Sequence, residues 1–296
     1  MTVQEKNAIV DRIIQEIQNM PDGSKATTIM LMGRCGIDTS GMDKDYFYDL
    51  FRIHDALFKK TKHCGIYLDM SAHNGLEEGL PFNLDFIIRK RKPGKKCPRC
   101  GNTNTGKILY GMPHYTEELE RQERLHEIYI GGCCITGHDP RYHCFNCQKN
   151  FGADPIIYSK YGNGKLGLED YRDIINEISF KDGGFTSGHI NVDMMKRTLD
   201  DITVDISSNI SCDHMHRKMT ADEWKNVIDG LYCKAYLHEW KHNFTNPDVL
   251  DGEQWSLDIA LTHKRHRHYY GSNSFPPYWD ELKQLFQPFI NELGLG

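Results

Sequence analysis

The sequence predicts an α+β protein in which two α+β domains flank a smaller segment bounded by cysteines. Apolar residues recur at helical spacing in several stretches, and short stretches between them alternate apolar and polar residues, as half-buried strands do. Two C-x-x-C pairs enclose the middle of the chain. A chain of 296 residues is also long for one domain. The predicted domains are therefore residues 1–92, 93–153 and 154–296.

Composition indicates a soluble globular protein. Hydrophobic residues make up 39% of the chain and charged residues 26%, and the formal net charge of -5 argues against a surface built wholly for phosphate backbones. No apolar run reaches membrane-spanning length, and the N-terminus lacks the basic-then-apolar pattern of a signal peptide. Ten cysteines without such a signal favour metal binding over disulfides, so we expect a cytoplasmic protein.

The N-terminal domain is predicted to combine two helices with three strands. Apolar residues recur at helical spacing over residues 3–20 and again over 43–60. Strands are predicted where apolar residues cluster between turn residues, at 27–32, 65–70 and 81–88. The glycine-punctuated loop after the first strand matches neither a P-loop nor a dinucleotide-binding fingerprint.

The cysteine-bounded segment predicts a structural zinc site. It opens with C-P-R-C at Cys97 and Cys100 and closes with C-F-N-C at Cys144 and Cys147. Each C-x-x-C pair presents two sulfurs from one tight turn, and two such turns complete a tetrahedron. Because four thiolates leave zinc no open position, the expected role is to support folding rather than to activate water. Unligated thiols are the alternative.

Four further residues of the segment are candidates to replace one of these ligands: Cys133, Cys134, His138 and His143. We expect Cys133 instead to pack in the core or to lie near the metal.

The motif order in this segment resembles a known family. C-P-x-C-G, Y-G-M-P, a short helix, G-G-C, D-P and C-x-x-C follow one another as in a zinc-ribbon-like family of uncharacterised bacterial and phage proteins. The resemblance covers residues 97–152, about a fifth of the chain. It implies the metal and a zinc-ribbon-like fold for this segment, and no activity.

The first part of the C-terminal domain is predicted to mix helices and strands. Apolar residues at helical spacing predict a helix over 168–178, followed by a loop at 181–184. A short helix is expected at 194–199. Residues 202–208 alternate apolar and polar side chains and predict a strand.

The last part is predicted to place helices on an antiparallel sheet. Thr220 and Glu223 form a capping-box pattern that begins a long helix, predicted over 221–243. Alternation predicts strands at 255–261 and 264–270, paired across a short turn. A final amphipathic helix follows two prolines.

A match to H-E-x-x-H gives one alternative function, a zinc hydrolase. On a helix, His238 and His242 would face one side and bind zinc, with Glu239 as general base. Asp251 or Glu253 would have to supply a third ligand. The chain is rich in histidine and lacks the extensions of known zinc proteases, so packing histidines explain the motif better.

Two basic runs, 89–96 and 264–267, give the other alternative, a nucleic-acid-binding zinc-ribbon protein. In a strand, His266 and His268 would lie on one face, opposite the arginines beside them. A solvated domain boundary explains the first run, and a charged sheet edge explains the second.

The preferred function is a non-enzymatic, zinc-stabilised binding protein that acts through protein–protein surfaces. The chain holds 15 Tyr, 13 Phe and 4 Trp, and exposed Tyr and Trp often anchor interfaces. Several sheet edges also favour a homo-oligomer. Length, predicted location and phage-like segments resemble phage anti-defence proteins such as the inhibitor of the Gabija nuclease complex. That resemblance implies a host defence nuclease as partner.

Overall fold

The computed structural model describes residues 2–38, 44–70, 85–160, 166–184, 188–209, 213–249 and 252–294. They form an α+β fold of two compact units. Unit 1 contains Met1–Lys95 and Asn104–Cys134, and unit 2 contains Lys96–Thr103 and Ile135–Gly296. The three-domain division stays a prediction. No helix of the described residues is both long and apolar enough to cross a membrane.

Unit 1 packs helices on a small antiparallel sheet. Its helices are α1 (Val3–Asn19), α2 (Thr28–Arg34), α3 (Lys44–Cys64) and α4 (Glu117–Arg124). Its strands are β1 (Lys25–Thr27), β2 (Ile66–Asp69), β3 (Asp85–Lys90), β4 (Thr105–Leu109) and β5 (Ile128–Ile130). The sheet has the order β1-β3-β2, and β4 pairs in parallel with β5. The apolar faces of α1 and α3 cover the sheet and bury Ile13, Ile17, Leu57, Phe86 and Ile88.

Most predicted elements of unit 1 are confirmed, and one is wrong. The helices over 3–20 and 43–60 and the strand at 65–70 appear as α1, α3 and β2. The part of 81–88 that is described lies in β3, and 81–84 fall outside the described residues. The strand predicted at 27–32 is instead helix α2. Thr27 is its N-cap, and the buried residues Thr28, Leu31 and Met32 follow helical spacing.

Unit 2 is built on a seven-stranded sheet. The described strands of the unit are β6 (Tyr142–Cys144), β7 (Lys149–Phe151), β8 (Ile156–Lys160), β9 (Leu166–Asp170), β10 (Ile175–Gly184), β11 (Gly188–Lys196), β12 (Ile202–Ser208), β13 (His214–Lys218), β14 (Asn243–Thr245), β15 (Glu253–Leu261) and β16 (Arg265–Ser272). The seven strands β10 to β16 form the large sheet. The large sheet has the order β13-β12-β11-β10-β15-β16-β14, antiparallel except for the pair of β14 and β16. The remaining strands form two antiparallel pairs, β6–β7 and β8–β9.

Two helices cover one face of that sheet. Helix α5 (Ala221–Asp229) continues into a π-helical turn, Gly230–Lys234, and the second helix is α6 (Trp279–Asn291). Trp224, Leu231 and Phe286 from these helices meet alternate strand residues in one core, where Phe286 stacks on Phe180 at 4.5 Å. The strands at 202–208, 255–261 and 264–270, the capping box and the final helix are confirmed.

Four predicted elements of unit 2 are wrong. The helix at 168–178 is instead β9, a 3-10 turn and the start of β10. Residues 181–184, predicted as a loop, are part of strand β10. Residues 194–196, predicted to begin a helix, are the end of strand β11. The helix predicted over 221–243 stops after the π-helical turn, because Tyr236 takes a left-handed conformation with φ 54°.

Candidate metal centre

Four cysteine sulfurs converge in unit 2. The Sγ atoms of Cys97, Cys100, Cys144 and Cys147 all lie within 4.8 Å of one another. Cys97 Sγ lies 3.8 Å from Cys147 Sγ, and Cys100 Sγ lies 3.6 Å from Cys144 Sγ. A tetrahedron with zinc–sulfur bonds of about 2.3 Å has edges of about 3.8 Å. The donor set and its spacing therefore fit a metal ion, with zinc the ion that four thiolates favour.

The two C-x-x-C turns have the same backbone geometry. The N–H of Gly101 donates to the carbonyl of Cys97 at 2.9 Å, and the N–H of Gln148 donates to the carbonyl of Cys144 at 2.8 Å. Both donors adopt the left-handed region, with φ 72° for Gly101 and 56° for Gln148. The sequence provides glycine for this conformation in the first turn and accepts a strained glutamine in the second.

Backbone N–H groups also point at the sulfurs. Cys97 accepts from the N–H groups of Arg99 and Cys100. Cys144 accepts in the same way from Asn146 and Cys147. Such bonds stabilise a thiolate, because a charged sulfur accepts more strongly than a neutral one. The turns are therefore built to offset part of the negative charge of a four-thiolate site.

The four thiols differ in burial, and Cys147 is half-buried. Cys97 and Cys144 are fully buried, and burial raises the pKa of both thiols despite their N–H donors. Cys100 is exposed. Burial also opposes its ionisation, but hydrogen bonds from the backbone of Asn102 and the side chain of Asn146 outweigh it and lower the pKa of Cys100 to about 7. A bound cation would offset the cost of ionising all four thiols in this environment.

The first turn docks on distant parts of unit 2. The guanidinium of Arg99 donates to the carboxylate of Glu239 at 2.9 Å. The hydroxyl of Tyr278 donates to the carbonyl of Lys96 at 2.6 Å. The sequence singled out neither Arg99 nor Tyr278, because their partners lie 140 and 182 positions away along the chain. These contacts connect the cysteine site to the main core of the unit.

The H-E-x-x-H residues do not form the predicted site. His238 and Glu239 lie in a 3-10 turn rather than a helix, so the helical spacing of the two histidines is wrong. His238 Nε2 donates to the carbonyl of Ala153 at 3.1 Å, and His242 Nδ1 donates to the carbonyl of His268 at 3.0 Å. Glu239 binds Arg99. Of the candidate third ligands, Asp251 lies outside the described residues.

The proposed substitute ligands have other positions. The four-sulfur group contains none of Cys133, Cys134, His138 and His143. Cys133 is exposed, so the expectation that it packs in the core is wrong. His138 pairs with Asp154 at 3.3 Å. The Nδ1 atom of His143 lies 2.7 Å from the side-chain oxygen of Asn150.

Much of the basic charge of the two runs contacts internal partners. Lys90 Nζ donates to the carbonyl of Gln18 at 2.7 Å, at the end of α1. In the second run, Arg265 pairs with Glu169 at 2.9 Å, and Arg267 lies over the ring of Tyr171. The predicted alternation in β16 is confirmed, since His266 and His268 are exposed and the arginines half-buried. Nucleic-acid binding by these runs stays a prediction.

Comparison with known proteins finds no family model, no curated protein and no solved structure that matches this chain. The resemblances noted in the sequence therefore stay predictions.

Proposed function

We propose that the four cysteines hold one structural Zn²⁺ and that the chain is a non-enzymatic binding protein stabilised by this metal. The observation that carries the proposal is the four-sulfur group, whose spacings of 3.6 and 3.8 Å fit a zinc tetrahedron. Cys97, Cys100, Cys144 and Cys147 would fill every position of the ion. A closed site of this kind supports folding and leaves no place for a substrate or an activated water.

The position of the metal explains how it would stabilise the unit. Zinc would join two short turns that have little core of their own, since only Cys97, Cys144 and Phe151 are buried together there. The first turn is in turn held by Glu239 and Tyr278. Metal binding would thereby fix the 3-10 turn Leu237–Glu239 and the start of α6 as well as the cysteine loops.

Exposed apolar side chains support the binding role. Tyr158 and Leu168 lie directly opposite each other in hairpin β8–β9 and are 76% and 50% exposed. In unit 1, Met112 is 93% exposed and Tyr115 62% in the loop after β4. Apolar side chains grouped on short elements are typical of protein-binding surfaces. On the resemblance to phage anti-defence proteins, the partner would be a host defence nuclease complex in the cytoplasm.

Zinc content tests the metal part of the proposal. We expect one tightly held Zn²⁺ per chain after gel filtration in metal-free buffer, lost in Cys97→Ser/Cys100→Ser together with the cooperative unfolding transition. The matched variant His238→Ala/His242→Ala should keep its zinc. A tightly held zinc that disappears with the histidines and not with the cysteines would instead make the chain a candidate hydrolase.

Self-association tests the surface part. If the β8–β9 hairpin mediates the expected homo-oligomer, Tyr158→Ser/Leu168→Ser should lower the sedimentation-derived mass and leave the zinc content unchanged. A wild-type protein that is monomeric at every concentration, or a variant that associates as before, would remove this hairpin from the proposal.

A further inference from the structure

The solvent-exposed face of the seven-stranded sheet carries a row of polar and charged side chains. Because side chains alternate between faces, register partners across neighbouring strands lie in one line on one face. From β13 to β16 this line reads His216, Asp205, Asp193, Ser179, Asp258 and His268.

Two histidines meet one carboxylate at the β13 edge of this row. His214 and His216 are two residues apart in β13, so they share a face. His216 Nδ1 lies 2.8 Å from Oδ1 of Asp205, and His214 Nε2 lies 3.4 Å from the same oxygen. Two imidazole nitrogens and one carboxylate oxygen, all atoms of the kinds that bind transition metals, thus lie close together.

We propose that His214, His216 and Asp205 form a second metal site, one that binds Zn²⁺ and remains open to solvent. Imidazole nitrogens and a carboxylate oxygen are zinc ligands, and three protein ligands leave a fourth position for water or another small ligand. The three ligand atoms do not all lie within 4.8 Å of one another, so the rings must turn toward the ion. The side chains of His214 and His216 are 61% and 55% exposed, which leaves room for that rotation.

The surroundings favour a cation. Asp205 and His216 also line a groove of about 580 Å³ that crosses this face of the sheet. The groove holds four carboxylates and two basic side chains: Glu177, Asp193, Asp201, Asp205, Arg197 and Lys218. An excess of negative charge at a surface groove raises the local concentration of cations. This site shares no residue with the cysteine site and would bind more weakly, because its ligands are exposed to solvent.

The opposite end of the same row, in β16, provides an internal control. His266 and His268 also form a His-x-His pair, in β16. His268 Nδ1 lies 2.5 Å from Asp258, but the register partner of His266 is Ala260. Among the described residues, His268 pairs with a carboxylate and His266 does not. If His-x-His alone were sufficient, both strands would bind zinc equally.

The test is a calorimetric titration of Zn²⁺ into protein whose cysteine site is already loaded. We expect one additional Zn²⁺ per chain, with binding weakened at least about tenfold in His214→Ala/His216→Ala and in the shape-preserving Asp205→Asn. His266→Ala/His268→Ala should bind as the wild type does. No additional Zn²⁺, equal binding by the β13 variants, or equal loss in the β16 variant would overturn the proposal.

A separate readout distinguishes this site from the cysteine site. In cobalt-substituted protein, thiolate coordination gives sulfur-to-metal charge-transfer absorption, which nitrogen and oxygen ligands do not give. We expect that absorption to be unchanged in the β13 variants. Its absence from the wild-type protein would contradict the proposed cysteine site and leave the β13 titration as an independent result.

Discussion

The ion pair between Arg99 and Glu239 should couple the cysteine site to the core of unit 2. The Glu239 side chain is 8% exposed, and the Arg99 side chain is 42% exposed. Loss of one partner of a fully buried pair destabilises a protein by roughly 3–5 kcal/mol, because the other charge stays buried without compensation. Water reaches Arg99, so the pair is partly screened, and we expect Arg99→Met to lower the free energy of unfolding by about 2 kcal/mol.

Substitution of the other partner, Glu239, should destabilise the protein less. Glu239→Gln leaves the charge on Arg99, which reaches water, and a buried amide that still accepts a hydrogen bond, so we expect a loss of about 1 kcal/mol. The double variant should lose about 2 kcal/mol rather than the sum of about 3, since it contains no buried unpaired charge.

Urea unfolding of the zinc-loaded protein at fixed zinc concentration measures all three variants. Arg141→Met is the control, because the pair of Arg141 with Asp154 is 66% and 31% exposed and should contribute less than about 1 kcal/mol. Single-variant losses that add to within about 0.5 kcal/mol, or equal losses for Arg99→Met and Glu239→Gln, would refute the reasoning.

Three further predictions concern single residues. Burial lowers the pKa of His54 from 6.5 to about 4. Unit 1 is therefore most stable above pH 6.5, where His54 is neutral in both the folded and the unfolded chain. About 3 kcal/mol should be lost as pH falls from there to 4, and His54→Leu should flatten the pH dependence of the urea midpoint. Gly230→Ala places a Cβ 2.2 Å from Leu285 Cδ2, and displacing that side chain should lower the thermal midpoint through a loss of about 1–3 kcal/mol, with zinc content unchanged. Gly101→Ala forces a left-handed alanine, and the loss of about 1–2 kcal/mol should appear as weaker zinc retention against a chelator.

Alternation predicted strands well where a strand is regular. In β12, Ile202, Val204 and Ile206 are buried and the residues between them are not, so a period of two is visible in the sequence. The same holds for β15, where Trp255, Leu257, Ile259 and Leu261 face the core. One face of each strand meets the helices and the other meets solvent, which is the condition under which alternation appears.

The end of the helix predicted at 168–178 is wrong because the start of β10 is irregular. The pairing of β10 with β15 shifts register between Ile175 and Glu177. This irregularity places Ile175 and Ile178, three residues apart, on the same buried face. A spacing of three is a helical spacing, and the sequence holds no separate sign of the irregularity.

The predicted helix over 221–243 failed at its end rather than at its start. The capping box of Thr220 and Glu223 is local, and both of its hydrogen bonds form. Apolar residues then continue at helical spacing through Leu231 and Ala235, although the backbone widens into a π-helical turn and leaves the helix at Tyr236. A left-handed tyrosine has no signature in a single sequence, since glycine is the usual residue there.

The difference between local features and features that depend on distant packing also explains which site could be predicted. Each C-x-x-C turn closes within five residues through its own backbone hydrogen bonds, so the spacing of the cysteines is sufficient to place two sulfurs together. The H-E-x-x-H motif carries chemistry only if a helix continues through it, and that depends on Tyr236 and on everything packed around it. With the helix ended, Glu239 is free to turn toward Arg99. The residue that the motif predicts as a general base becomes the buried partner of the cysteine turn, and the double-variant measurement is therefore also a test of which of these two roles Glu239 has.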